Sequence, residues 1–338
     1  MPFPPMSLKL SVLDLSPIPS GHTPTDALAN SVDLARQAEA AGYHRYWLAE
    51  HHNTGMLACS APELLITRIA GATSRLRVGS GGIMLPNHSP LKVAETFRVL
   101  EAMFPQRIDL GLGRAPGTDP VTASALRRGH ADADDFPRQL SDLVGYLKDA
   151  MPADHPHARV RATPVGVPCP PIWILGSSLY GARVAAANGF GFAYAHHIVP
   201  ENVHAAMRLY REEFRASPFG HEPRAILAVS AICAPTAEEA ERLAATADLS
   251  MMRTRSGRTR YPLPSVEEAL AYAYQPDEEA LRQYNRTRIH IGTPGALAAS
   301  IGELARATDA DEVMVNTMIH RHEDRVRSYR LLAPALMS

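Results

Sequence analysis

The sequence predicts an α/β protein, a closed (β/α)8 TIM barrel with insertions in its βα loops, and three observations lead there. Eight short apolar runs alternate with longer stretches of helical periodicity from Leu8 nearly to the end of the 338 residues. No glycine-rich phosphate loop follows the first run, where Leu13-Asp14-Leu15-Ser16-Pro17-Ile18-Pro19 offers prolines instead, so an open doubly wound sheet lacks its nucleotide fingerprint. Closure removes both sheet edges, and a barrel of about 250 residues leaves room for loop insertions in a chain of this length.

The runs cover 8–15, 46–49, 76–85, 108–112, 172–175, 190–195, 226–233 and 312–317. Helix starts between them are marked by Ser60-Ala-Pro-Glu63 and Thr236-Ala-Glu-Glu239, which read as capping boxes, and by Thr23-Pro24 and Thr293-Pro294, which put proline in the first turn. Gly42 and Gly189 supply the residue that tolerates a left-handed helix end. Insertions are expected at 151–171, rich in Pro and His, and at 254–288, rich in charge, Tyr and Pro. Neither has the composition of an interdomain linker, so 1–338 is expected to form one barrel domain.

Hydrophobic residues make up 46% of the chain and charged residues 20%, a balance that supports a large core. With 34 Lys+Arg against 35 Asp+Glu there is no basic excess to neutralise phosphates, which argues against nucleic acid as a partner. No apolar run approaches the roughly 18 residues of a membrane span, and the proline-rich start lacks the pattern of a signal peptide, so a cytoplasmic protein is expected. Cys59, Cys169 and Cys233 are scattered, without the paired spacing of a zinc knuckle, and read as packing residues.

Barrel chemistry gathers where strands end, so the residues after each run carry the functional reading. The second run ends in Glu50-His51-His52-Asn53, an acid beside two imidazoles; a histidine titrating near neutrality can move protons and a carboxylate can orient it. The third contains Gly79-Ser80-Gly81-Gly82, which either marks a bulge or lets a flat ligand approach the backbone. The fourth ends at Arg114 between glycines, a group that can hold an anion in a bidentate fork. The fifth runs into Gly176-Ser177-Ser178-Leu179 at a helix start, where free amides and hydroxyls could receive a phosphate. His196 and His197 follow the sixth and could also face the pocket. A metal-dependent hydrolase using Glu50, His51, His52, His196 and His197 as ligands is a rival reading, but it accounts for neither the glycine run nor the anion pocket.

In this order, Trp47-Leu-Ala-Glu-His-His52, Val78-Gly-Ser-Gly-Gly-Ile-Met-Leu-Pro-Asn-His88 and Arg107-Ile-Asp-Leu-Gly-Leu-Gly-Arg-Ala-Pro-Gly117 resemble the bacterial luciferase-like flavin-dependent superfamily, from about Leu8 to Leu332. The resemblance implies a monooxygenase that uses reduced FMN (FMNH2) and O2, through a C4a-peroxyflavin, to oxygenate a small organic substrate. It assigns catalysis to His51 with Glu50, and cofactor binding to Ser80, Gly81, Gly82, Arg114, Gly176, Ser177, Ser178 and Leu179, with no metal. It also implies a non-proline cis peptide at Gly81-Gly82, a homodimer, and a separate NAD(P)H:flavin reductase as partner. Gly113 and Ser177 depart from the light-emitting enzymes, which carry a cysteine and an acid there, and this argues against luminescence. Part of the superfamily uses F420 for hydride transfer, so that cofactor stays open, as does a flavin-binding protein without turnover. The loop 115–135 and the insertion 254–288 are expected to shape the substrate pocket.

Overall fold

Strands that are apolar on both faces need cover on both, and here they find it by closing into a parallel barrel whose lumen is filled by side chains and whose outside is covered by helices. The computed structural model describes residues 8–126 and 135–337. The strands are β1 (Lys9–Asp14), β2 (Arg45–Leu48), β3 (Arg77–Ser80), β4 (Ile83–Met84), β5 (Ile108–Gly113), β6 (Ile172–Gly176), β7 (Gly191–Ala195), β8 (Ala225–Cys233), β9 (Ile289–Gly292) and β10 (Glu312–Asn316). All pair in parallel, in the order β10-β1-β2-β3-β5-β6-β7-β8, and β8 closes the ring by pairing with β10 from Ile226 to Ser230.

Two strand expectations need correction. The run 76–85 is two strands, because the chain breaks its ladder at a cis Gly81-Gly82 peptide before β4 resumes pairing with β5. A further strand, β9, was hidden by its length and its central His290. It pairs with the far half of β8, Ser230 to Cys233, above the stretch used for closure. Of the cap expectations, Thr23 forms a complete capping box with Asp26, and Thr236 and Thr293 each accept from the third residue on. Ser60 does not cap: the next helix begins at Pro62 with Ala61 as its N-cap and no side-chain bond.

The expected insertion 254–288 begins inside the helix Ala237–Arg255 and continues through the helices Val266–Leu270 and Pro276–Arg286. This segment roofs the C-terminal end of the barrel. Leu263 is bonded both ways to the loop after β1, through Ile18 and Ser20, and Gly55 donates to the Thr259 carbonyl from the loop after β2. Residues 127–134 of the expected pocket loop 115–135 lie outside the described residues. Among the described residues no helix is long and apolar enough to cross a membrane.

The lumen is layered. Its N-terminal end is closed by Arg45, which donates to Asp109 at 2.7 Å and to both oxygens of Glu312, while Arg77 and the Trp47 indole complete the set around Asp109. A buried carboxylate survives only when paired in this way. Above it lie Leu13, Trp47, Ala49, Trp173, Ala193, Ala228 and Met314, an apolar layer on which the polar mouth sits.

Candidate active site

The break between β3 and β4 explains most of the glycine run. Where backbone pairing to β5 lapses, the Ser80 hydroxyl takes over, donating to the Gly111 carbonyl at 2.8 Å and accepting from the Gly111 amide at 3.0 Å. A Cβ on Gly111 would lie 2.0 Å from the Ser80 carbonyl oxygen, so the two backbones touch. One on Gly82 would lie 2.8 Å from the Gly111 carbonyl. These contacts face the neighbouring strand. The Ser80 side chain is therefore committed to β5, whereas the Gly81-Gly82 peptide has the cis form implied by the resemblance.

Glu50 lies two residues past the end of β2 and is fully buried. Its carboxylate takes His52 Nε2 at 2.8 Å, His88 Nε2 at 3.0 Å, the Met84 amide at 2.9 Å and the Asn87 side chain at 3.3 Å. Burial raises its pKa, but the bonds and charge of His88 together with His52 outweigh this and hold it below the usual carboxylate value. The sequence reading joined Glu50 to His51. In the structure Glu50 instead fastens the loop after β4 to the end of β2, and successive residues of an extended chain point opposite ways, which sends His51 elsewhere.

His51 keeps part of its surface accessible, and its buried Nδ1 has no partner. Burial pushes its pKa down to about 4; the Glu50 charge pulls upward, while His52 and His197 add to the lowering. It is a neutral imidazole at physiological pH, able to accept a proton or to pass one on.

Across the mouth, Gly176 ends β6 and the helix Leu179–Asn188 starts with Ser178 as N-cap, whose side chain makes no capping bond. Ser178, Leu179 and Tyr180 are exposed, and the first-turn amides have no intrahelical partner. Arg114, exposed at the end of β5, lies over the Tyr180 ring with its guanidinium carbon 4.4 Å from the centroid. A cation stacked on the first turn of the helix, two serine hydroxyls without a hydrogen bond among the described residues and a helix N-terminus thus lie at the end of β6, a donor set of the kind that suits a phosphate group.

The structure separates His196 from His197. His196 is buried on the outer side with its ring centroid 6.1 Å from that of His290, whereas His197 bonds to the Ala228 carbonyl of β8. Among the described residues no three His, Cys, Asp or Glu side chains gather as a metal site.

A family model described as luciferase-like monooxygenase matches residues 8–311. A protein of Escherichia coli (strain K12) named luciferase-like monooxygenase is 41% identical over 96% of this chain and 96% of its own length. The N-acetyl-S-alkylcysteine monooxygenase of Bacillus subtilis (strain 168) is 35% identical over 98% of this chain and 99% of its own. The solved structure of apo-MsnO8 superposes with a TM-score of 0.89 at 42% identity, covering 97% of this chain and 98% of that one. More distant structures share the fold alone, among them a Baeyer-Villiger monooxygenase component in complex with FMN (18% identical, TM-score 0.72) and an F420-dependent secondary alcohol dehydrogenase (14%, TM-score 0.73), each over 98% of this chain.

Proposed function

Since the chain belongs to the luciferase-like monooxygenase family, we propose that it is an FMN-dependent monooxygenase that inserts one atom of O2 into a small organic substrate. The observation that carries the choice of cofactor is the phosphate cradle of Arg114, Ser177, Ser178 and the Leu179 amide, set at the end of β6 beside an apolar lumen layer. FMN presents one terminal phosphate and a flat ring, which suits one anion pocket next to one apolar platform. Reduced FMN, when bound, would activate dioxygen for transfer of one oxygen atom to the substrate.

The chain's own residues divide the remaining tasks. Arg114 and the serines anchor the phosphate, Gly176 ends the strand on which the cradle turns, and Gly81 and Gly82 leave backbone instead of side chain at the kink behind the platform. His51 holds or moves a proton at the mouth, while Glu50 fixes the loop after β4 through His88 and the Met84 amide. A separate NAD(P)H:flavin reductase would deliver the reduced cofactor, and a homodimer is the expected assembly, to be read by sedimentation. The first substrate class to test is the thioether of an N-acylated amino acid, because a full-length relative is named for it.

The test is anaerobic titration with reduced FMN and reduced F420 in parallel, followed by 18O2 and N-acetyl-S-methylcysteine. Binding of reduced FMN with one 18O in the product supports the monooxygenase. Preference for F420 redirects the assignment to hydride transfer, and FMN binding without turnover of any candidate substrate favours a flavin carrier.

A further inference from the structure

His197 stands opposite His51. In the closed ring β2 and β7 are four strands apart in either direction, so the residues that follow them face each other across the mouth. Along β7 the side chains alternate, with Ala193 in the lumen layer and Phe192 and Tyr194 in the outer core. His197 lies in the turn after β7, where its ring meets the carbonyl of Ala228, a residue of the lumen layer, and its influence reaches His51, where it adds to the lowering of that imidazole's pKa. It retains accessible surface although burial lowers its own pKa, which is the condition of a group on the wall of a concavity.

Its ring has one available tautomer when neutral. The Nδ1 lies 3.1 Å from the Ala228 carbonyl oxygen, and a carbonyl only accepts, so the proton sits on Nδ1. The His197 amide meets the same oxygen at 3.3 Å and fixes the backbone beside it. Nε2 is then left with a lone pair and no proton, and makes no hydrogen bond within the described residues.

We propose that His197 Nε2 is the substrate-positioning acceptor of this enzyme, taking a hydrogen bond from an N–H or O–H donor on the substrate. The Ala228 carbonyl acts as the tautomer lock. The inference rests on the monooxygenase reading for its substrate, but not for its geometry. It gives the two mouth histidines different tasks: His51 moves a proton, and His197 selects substrates that carry a donor.

The test pairs two variants with two probes. His197→Asn keeps an N–H where Nδ1 donates to Ala228 but has nothing at the Nε2 position, whereas His197→Gln restores an acceptor there. With N-acetyl-S-methylcysteine, His197→Asn is expected to lose about tenfold in kcat/KM, mostly in KM, with FMN affinity unchanged and partial recovery in His197→Gln. With the N-methylated analogue, which lacks the amide proton, wild type and His197→Asn should be equal; unequal loss persisting on that analogue would overturn the proposal. A second readout needs no turnover. In 15N spectra of the FMN-loaded protein, His197 should show the Nδ1–H tautomer, and its Nε2 resonance should move with N-methylacetamide but not with N,N-dimethylacetamide. An Nε2–H tautomer, or a resonance that ignores both probes, would overturn it even if the monooxygenase reading stands.

Discussion

His88 Nε2 lies 3.0 Å from both carboxylate oxygens of Glu50, a residue 38 positions earlier in the chain. This contact makes the stability of the mouth depend on pH from two sides. The Glu50 pKa lies below its ordinary 4.5, so its contribution is present above that value and is lost as pH falls through the lowered one. For His88, burial lowers the pKa but the bond and charge of Glu50 outweigh it and raise the group above 6.5. That contribution is complete below 6.5 and is lost as pH rises through the raised value. Urea midpoints of wild type and His88→Gln should therefore differ most between pH 4.5 and 6.5 and converge above. A constant difference across the range would mean that the pair carries no charge. Glu50→Gln should cost about 1.5–3 kcal/mol at neutral pH, the scale for a hydrogen bond to a charged group.

At the broken ladder, Ser80→Ala removes a hydroxyl that serves both the amide and the carbonyl of Gly111. A loss of about 1–3 kcal/mol in unfolding free energy is expected, with affinity for FMN unaffected. Gly111→Ala should yield no folded protein in solution, because its Cβ would sit 2.0 Å from a backbone oxygen. Weaker FMN binding in Ser80→Ala at unchanged stability would return the hydroxyl to the cofactor site.

Arg114→Ala should weaken FMN binding by about 1.5–3 kcal/mol, read by fluorescence titration, with little effect on stability since the side chain is exposed and stacked on the Tyr180 ring. Riboflavin, which lacks the phosphate, should bind wild type and variant alike. Equal losses for both ligands would place Arg114 away from the phosphate.

His51→Ala is expected to slow turnover while leaving FMN affinity intact. With its pKa pushed down to about 4 by burial, wild-type kcat/KM should carry no ionisation of this group near 6.5 and should fall only toward pH 4. An acid limb near 6.5 that vanishes in His51→Ala would show that the imidazole titrates normally.

His196 and His290, both also pushed to about 4 by burial, bear on stability in the direction opposite to His88. Each is neutral in the fold where the unfolded chain binds a proton, so stability should decline as pH falls from 6.5 toward 4. Replacing both with glutamine should flatten that decline in urea titrations.

Much of this was legible from residue order. Alternating apolar runs announced a parallel barrel, and the glycine kink, the arginine after β5 and the serine turn after β6 were each visible at a strand end. What residue order did not reveal was which side chains are neighbours in space. Glu50 and His51 are adjacent in the chain but diverge in space, since an extended backbone pairs i with i+2, as Glu50 with His52, and leaves i+1 on the other side. The partner that matters, His88, already stood in the motif ending at that residue; its role depended on the turn Leu85–Asn87, which returns the chain to β2. The bonds of Ser80 to Gly111 were hidden for a related reason. A hydroxyl in a glycine run reads as a ligand contact until the missing ladder bonds of its own strand are known.

β8 finishes its closure pairing with β10 at Ser230 and begins its ladder with β9 at the same residue. Ring and roof thus hang on separate stretches of one strand. Past the helix Ala237–Arg255, whose Ala240, Leu243, Ala244 and Ala247 pack against Ile232 and Ile289, residues 256–288 carry no strand pairing of the closed ring. A chimera that swaps 256–288 between relatives is expected to keep the barrel while changing what covers its mouth.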